Sequence, residues 1–199
     1  MKTLEWLNFL AEQRESYGKV IFSVSELANA ARTTLHSVNT ELGRLIKRGI
    51  IARYAKGYYG LVKAVEPEHL LYAIDRCAYI TGFAALFHNK LVTQIPSEIT
   101  CFTNRRHNRT LGGPWKLRFI TVPPPIYDMP KKSVVVSGEQ ALCDFVWLCS
   151  RKGLQAQHLV TFRNLDRLKH GVLKKCVSRY PDQVRGQISN LPGLDAVAA

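Results

Sequence analysis

Two sets of side chains in the sequence have the types and spacing to do chemistry, and in both the chemistry is recognition of an anion. The first is Thr33, Thr34, His36, Ser37, Asn39, Thr40, Arg44, Lys47, Arg48 and Lys56, with Glu41 the acid among them. Hydroxyls, amides and imidazoles of this kind meet base edges, and Arg and Lys meet phosphates. The second is Arg105, Arg106, Arg109, Lys116 and Arg118, a run of cations with no acid between them. Patterns for bond-making chemistry are missing. The sequence has no GxSxG, no P-loop and no GxGxxG. Its six His show no HExxH and no paired metal-ligand spacing. Glu98, Asp128, Glu139, Asp144, Asp166 and Asp182 are scattered, whereas a two-metal nuclease or nucleotidyltransferase needs clustered carboxylates. Asp144, at the boundary of an apolar helix face, reads as a structural residue. The expectation is a protein without catalysis, metal or cofactor.

The elements that must position the first set are legible. Residues 2–17 read as a helix with Leu4, Leu7, Leu10 and Ala11 inward, ended by Gly18. Val20-Ile21-Phe22 is a short extended piece. Ser23-Val24-Ser25-Glu26 is a capping box that opens a short helix, 24–31. Thr33 or Thr34 caps a third helix whose apolar stripe is Leu35, Val38, Leu42, Leu45 and Ile46. His36, Ser37, Thr40, Arg44 and Lys47 fall opposite that stripe, with Asn39 and Arg48 on its flanks. Residues 50–62 are two β-rich runs around a Lys56-Gly57 turn, a hairpin. Helix, helix, turn, helix, hairpin is the order of a winged helix-turn-helix domain, placed at 1–65. In a major groove His36, Ser37 and Thr40 would face bases and Asn39 an adenine edge. Arg44, Lys47 and Arg48 would sit near phosphates, and Lys56 at a phosphate or the minor groove. Winged helices also serve as protein–protein modules; the scarcity of acid on the outer face favours double-stranded DNA.

Residues 66–199 read as a second, mixed α+β domain with a small sheet, giving an α+β chain. Pro67 opens a helix with Leu70, Leu71, Ile74 and Cys77 inward, and residues 79–87 read as another helix. Strands are expected at 99–103, 115–122 and 133–136. Ser137 and Gln140 read as a capping box for a helix with Ala141, Leu142, Phe145, Val146 and Cys149 inward. Asn164 reads as the cap of a long last helix carrying Leu165, Leu168, Val172, Leu173, Cys176 and Val177, and the tail after Leu191 as frayed. The Arg105–Arg118 cations fit two readings equally: the solvated rim of a hairpin, or an electropositive surface for nucleic acid or an acidic partner protein.

Composition bounds these readings. The chain has 199 residues, 28 Lys+Arg and 15 Asp+Glu, a net charge of +13. Residues 1–66 hold ten Lys+Arg and six Asp+Glu, a net of +4, and the remainder holds +9. The excess is spread along the chain and asks for a polyanionic partner. A hydrophobic content of 46% supports a packed core and excludes wholesale disorder. The longest nearly apolar run, Cys77 to Phe87, is far short of the roughly 20 residues that span a bilayer. Glu5 and Glu12 interrupt any secretory signal. Five scattered Cys without a CxxC read as reduced thiols of a cytoplasmic protein, and the short apolar run goes with the expectation of no membrane partner.

Three stretches together give a resemblance. Arg48-Gly49-Ile50-Ile51 with Lys56-Gly57-Tyr58-Tyr59 is similar to an "Arg-Gly-apolar … Arg/Lys-Gly-apolar-Tyr" hairpin. Tyr79-Ile80-Thr81-Gly82-Phe83-Ala84-Ala85-Leu86 with Gln94-Ile95-Pro96 looks like "Tyr-apolar-Ser/Thr-Gly-x-x-Ala-Leu … Gln-apolar-Pro". Val134-Val135-Val136-Ser137 leading to Ala141-Leu142-Cys143-Asp144 is similar to a strand followed by "Thr/Ala-Leu-x-Asp". In this order and spacing, over residues 20–150, the chain resembles the AbiEi family of antitoxins from bacterial type IV toxin–antitoxin (abortive infection) systems. The resemblance implies an autorepressor whose winged helix binds inverted repeats in its own promoter. It also implies a second domain that counteracts a nucleotidyltransferase-like toxin, with no tight complex required. The match is weaker beyond Arg151.

Overall fold

Two hydroxyl caps, Ser23 and Thr34, start two successive helices, the second of which carries most of the first set of residues. A computed structural model describes residues 2–106, 109–111 and 115–194, the backbone alone at Arg109. In chain order it begins with α1 (Thr3–Tyr17), β1 (Ile21–Ser23), α2 (Val24–Ala30), α3 (Leu35–Lys47), β2 (Ile51–Ala55) and β3 (Tyr58–Leu61). Ser23 Oγ accepts from the Glu26 N–H at 3.2 Å while the Glu26 carboxylate accepts from the Ser23 N–H at 2.7 Å. That satisfies two amide donors that a helix start leaves unpaired. Thr34 Oγ1 accepts from the Ser37 N–H at 3.2 Å at the start of α3. The three strands form an antiparallel sheet of order β1-β3-β2. Gly60 stands opposite both Ile21 and Ala52 on the central strand. Only glycine fits there: a Cβ would lie 2.5 Å from the Val20 carbonyl oxygen and 2.6 Å from Val65 Cγ2.

Trp6, Leu10, Phe22, Leu27, Val38, Leu42, Leu45 and Ile51 close over one another as a core. Each such side chain is worth about 1.5–3 kcal/mol on burial. The α1 stripe differs from the sequence expectation. Leu4, Leu7 and Ala11 face outward and Trp6 and Leu10 face in. The leucines repeat at helical spacing, but Trp6 buries more apolar surface and finds an acceptor for its indole N–H. The α3 stripe is narrower than expected, since Leu35 and Ile46 are exposed beside buried Val38, Leu42 and Leu45.

The next helix, α4 (Pro67–Ile74), packs on β1. It therefore belongs with the preceding elements, although the sequence reading starts the second domain at residue 66. The chain divides into two units, Met1–Arg76 with Leu111–Trp115, and Cys77–Thr110 with Lys116–Ala199. Trp115 joins the first unit by stacking on Tyr54, ring centroids 5.4 Å apart and planes at 14°.

The second unit holds β4 (Tyr79–Thr81), α5 (Gly82–His88), β5 (Ile99–Thr103), β6 (Arg109–Leu111, whose last residue falls in the first unit), β7 (Leu117–Thr121), α6 (Gly138–Ser150), α7 (His170–Val177) and α8 (Asp182–Ser189). Its sheet has the order β4-β5-β7-β6. β4 runs antiparallel to β5 and β5 parallel to β7, Ile99 opposite Leu117. The parallel pairing corrects the hairpin reading of residues 99–122. The helix expected over 79–87 is a strand and then a helix. Tyr79–Thr81 pair with Thr100–Phe102, and Gly82 turns the chain at φ +60, where other residues are strained. The strand expected at 133–136 is reduced to a parallel bridge between Val135 and Ile80. Ser137 Oγ accepts from the Gln140 N–H, but the Gln140 amide donates to the Asp128 carbonyl, so no reciprocal box forms.

The long helix expected after Asn164 is broken. Asn164 sits at φ +55 without capping, a 3-10 turn covers Leu165–Arg167, and α7 starts only at His170. The interruption lets Lys169 N–H donate to the Glu139 carboxylate at 3.0 Å. Leu191 and Leu194 are buried, which corrects the frayed tail up to residue 194; residues 195–199 lie outside the described residues. α6 is the hub of the unit, packed on by α5, α7 and α8 and buried on nearly every side.

Candidate nucleic-acid interface

Helical geometry sorts the first set of residues. His36, Thr40, Gly43 and Lys47 follow one another at four, three and four residues, so they form one ridge pointing away from buried Val38, Leu42 and Leu45. His36, Thr40 and Lys47 are exposed on that ridge. Asn39 is exposed on one flank, beside Leu35 and Ile46. Ser37, Arg44 and Arg48 are exposed on the other, which turns toward α1. The two threonines differ in role. Thr34 commits its hydroxyl to the α3 cap and to Ser37 Oγ, whereas Thr33 is exposed in the preceding turn. Lys56 is exposed at the tip of the β2–β3 hairpin.

Glu41 decides the electrostatics of this face. Its carboxylate accepts the Trp6 indole N–H at 2.7 Å, and that bond holds its pKa below the ordinary carboxylate value. The α3 acid is thus turned toward α1 and neighbours Arg44 in a notch of about 320 Å³ shared with Lys2, Thr3 and Arg48. Arg48 Nη1 donates to Thr3 Oγ1 in the same notch. The outward ridge of α3 itself carries His36, Thr40 and Lys47 and no carboxylate.

Arg105, Arg106, Lys116 and Arg118 are not the unopposed cluster that the sequence suggests. Lys116 Nζ lies 3.0 Å from one Glu98 carboxylate oxygen and Arg118 Nη1 3.4 Å from the other. The parallel register puts Glu98 alongside Lys116, and Lys116 and Arg118 share a strand face, so one acid reaches both. Arg105 and Arg106 are exposed. The Arg105 carbonyl accepts from Thr121 Oγ1 at 2.7 Å. The Arg109 side chain lies outside the described residues.

The second unit also buries a polar cluster. Asp144 is fully buried on α6 and accepts from Thr81 Oγ1 and Tyr180 Oη. Burial pushes its pKa up to about 7 against these hydrogen bonds. Arg179 pairs with Asp128 nearby, and burial pushes the Cys143 thiol and the Tyr180 hydroxyl well above their ordinary range. Among the described residues no group of three or more His, Cys, Asp or Glu is placed to hold a metal ion. The five cysteines, all described, form no disulfide.

The sequence matches no family model and no curated protein. The chain is similar in structure to the RV2827C protein of Mycobacterium tuberculosis, known from a crystal structure. The TM-score is 0.58, over 96% of this chain and 76% of that one, at 14% sequence identity. The likeness is one of fold. Among the described residues no helix is long and apolar enough to cross a membrane. Sequence reasoning missed Gly43, which patterning by side-chain type passes over, and the Trp6–Glu41 bond, which joins residues 35 positions apart. It also missed Arg151 and Lys152, which approach Arg118 only through the fold.

Proposed function

We propose that the chain is a DNA-binding transcriptional autorepressor and the antitoxin of a bacterial type IV toxin–antitoxin system, with no catalytic step of its own. The order α1-β1-α2-α3-β2-β3 with the sheet β1-β3-β2 supports a winged helix-turn-helix in which α3 reads the major groove and Lys56 on the hairpin meets the backbone. The observation that carries the reading is the acid-free ridge of α3. Glu41 is bonded to Trp6, so duplex phosphates and base edges would meet His36, Thr40 and Lys47 without a repelling carboxylate. Ser37, Asn39 and Arg44 flank the ridge, and Arg48 and Thr34 support it through Thr3 and the helix cap. Counteraction of a nucleotidyltransferase-like toxin rests on the AbiEi resemblance of residues 20–150. One Glu98 carboxylate faces both Lys116 and Arg118 and offsets one of their two charges, so this strand offers an acidic partner less charge than its sequence suggests.

The test is fluorescence anisotropy of the full chain with a duplex from the region upstream of its own reading frame. Replacing His36, Thr40 and Lys47 together by Ala is expected to abolish the preference for that duplex over a scrambled one, because these side chains are exposed and their removal spares the core. An unchanged preference would put the reading head elsewhere. Co-expression with a nucleotidyltransferase-like protein encoded next to it tests the antitoxin half separately: growth arrest by that protein is expected to be relieved.

A further inference from the structure

On the second unit, a cleft of about 470 Å³ opens between β7 and the end of α6. Arg118, Arg151 and Lys152 line it, with Thr110, Thr121, Ile120 and Leu148. These residues come from three separate parts of the chain, and no acid is among the lining residues described. The Arg151 guanidinium sits over the Trp147 ring, 4.9 Å from its centroid, and its backbone N–H closes α6 onto the Trp147 carbonyl at 3.0 Å. The side chain is therefore held before any ligand arrives, which lowers the ordering cost of binding.

The lining residues and their ion-pair partners together leave a positive charge. Arg118, Arg151 and Lys152 contribute three positive charges, and Glu98 is offset by Lys116. The C-terminus of α6 contributes about half a negative charge. The remainder suits a phosphate monoester, which carries about 1.5–2 negative charges at neutral pH. Bare phosphate would fill little of the cleft. Its size falls in the range of small-molecule sites, roughly 300–1,000 Å³, and the half-buried Ile120 and Leu148 in its lining suit a flat apolar body such as a base. We infer that this cleft binds a nucleoside 5′-monophosphate group, as a free nucleotide or as the phosphorylated 5′ end of a strand. The guanidinium forks of Arg118 and Arg151 hold the phosphate and Lys152 adds a point charge. Every lining residue of the site belongs to the second unit.

The experiment titrates the full chain with adenosine 5′-monophosphate and with a short single-stranded RNA carrying either a 5′ phosphate or a 5′ hydroxyl. Equal affinity for the nucleotide and the phosphorylated strand supports a free nucleotide. Tighter binding of the phosphorylated strand than of both other probes supports a strand end. In either case Arg118→Gln with Arg151→Gln is expected to weaken binding at least tenfold, while Lys131→Gln with Lys132→Gln, an equal loss of charge elsewhere, changes it less than twofold. Both pairs are at least partly exposed, so the fold is spared. The inference fails if the wild-type chain binds none of the probes, if the 5′ phosphate makes no difference, or if the two double variants lose affinity alike.

Discussion

Asp144 shows how much one buried group can set. The carboxyl is 0% exposed, hydrogen-bonded by Thr81 and Tyr180 and neighboured by the Arg179–Asp128 pair. Burial raises its pKa from 3.8 to about 7. The folded state therefore holds a proton that the unfolded chain releases above about pH 4. Stability from this group is complete below that pH and is lost as pH rises through about 7. The loss is at most about 1.4 kcal/mol per pH unit. Urea unfolding of the wild type at pH 5 and pH 8 is expected to show a larger fall in midpoint than Asp144→Asn, whose side chain has no proton to exchange. Equal falls in the two proteins would mean that Asp144 does not titrate in this window. The "Leu-x-Asp" pattern marks the residue in the sequence, and the structural role expected there agrees with its burial. Its partners Thr81 and Tyr180, 63 and 36 positions away, are not legible without the fold.

At the scale of elements, α3 poses a question that its glycine answers. Gly43 sits mid-helix on the exposed ridge, and a Cβ there would meet nothing within 4 Å. Neither backbone geometry nor packing requires glycine, which costs a helix roughly 0.5–1 kcal/mol relative to alanine. The proposed contact with a duplex gives it a reason, since the missing Cβ lets the α3 backbone approach between Thr40 and Lys47. Gly43→Ala is expected to raise the thermal midpoint while weakening duplex binding about tenfold, equivalent to about 1.4 kcal/mol. A variant that is more stable and binds undiminished would remove the ridge from the groove. The neighbouring elements differ in how far their sequences announce them. Ser23 with Glu26, Thr34, the Lys56-Gly57 turn and Pro67 place the ends of α2, α3, the hairpin and α4, because capping and turns are local chemistry. The strand at Tyr79–Thr81 escapes because its partner is Thr100–Phe102, and an isolated apolar run reads as either element. Asn164 misleads because a residue that can cap is here the left-handed break in the chain.

For the molecule as a whole the question is where a net charge of +13 does its work. Charge by itself does not locate a duplex site, because Glu98 and Asp128 neutralise cations on the second unit as Glu41 does near α1. What distinguishes the surfaces is the charge left after pairing. On the first unit that remainder includes Lys47 on the ridge and Lys56 on the hairpin. On the second it includes Arg151 and Lys152 at the cleft, the site proposed for a single phosphate group. The two can be separated by counterion release, since each duplex phosphate neutralised adds about 0.9 to the slope of log affinity against log salt. Lys47→Ala with Lys56→Ala is expected to reduce that slope by roughly 1.8, two contacts' worth. Arg118→Gln with Arg151→Gln removes the same charge and is expected to leave the slope where it was. If both pairs reduce it equally, the duplex is gripped by both units, and the division of labour between α3 and the cleft does not hold.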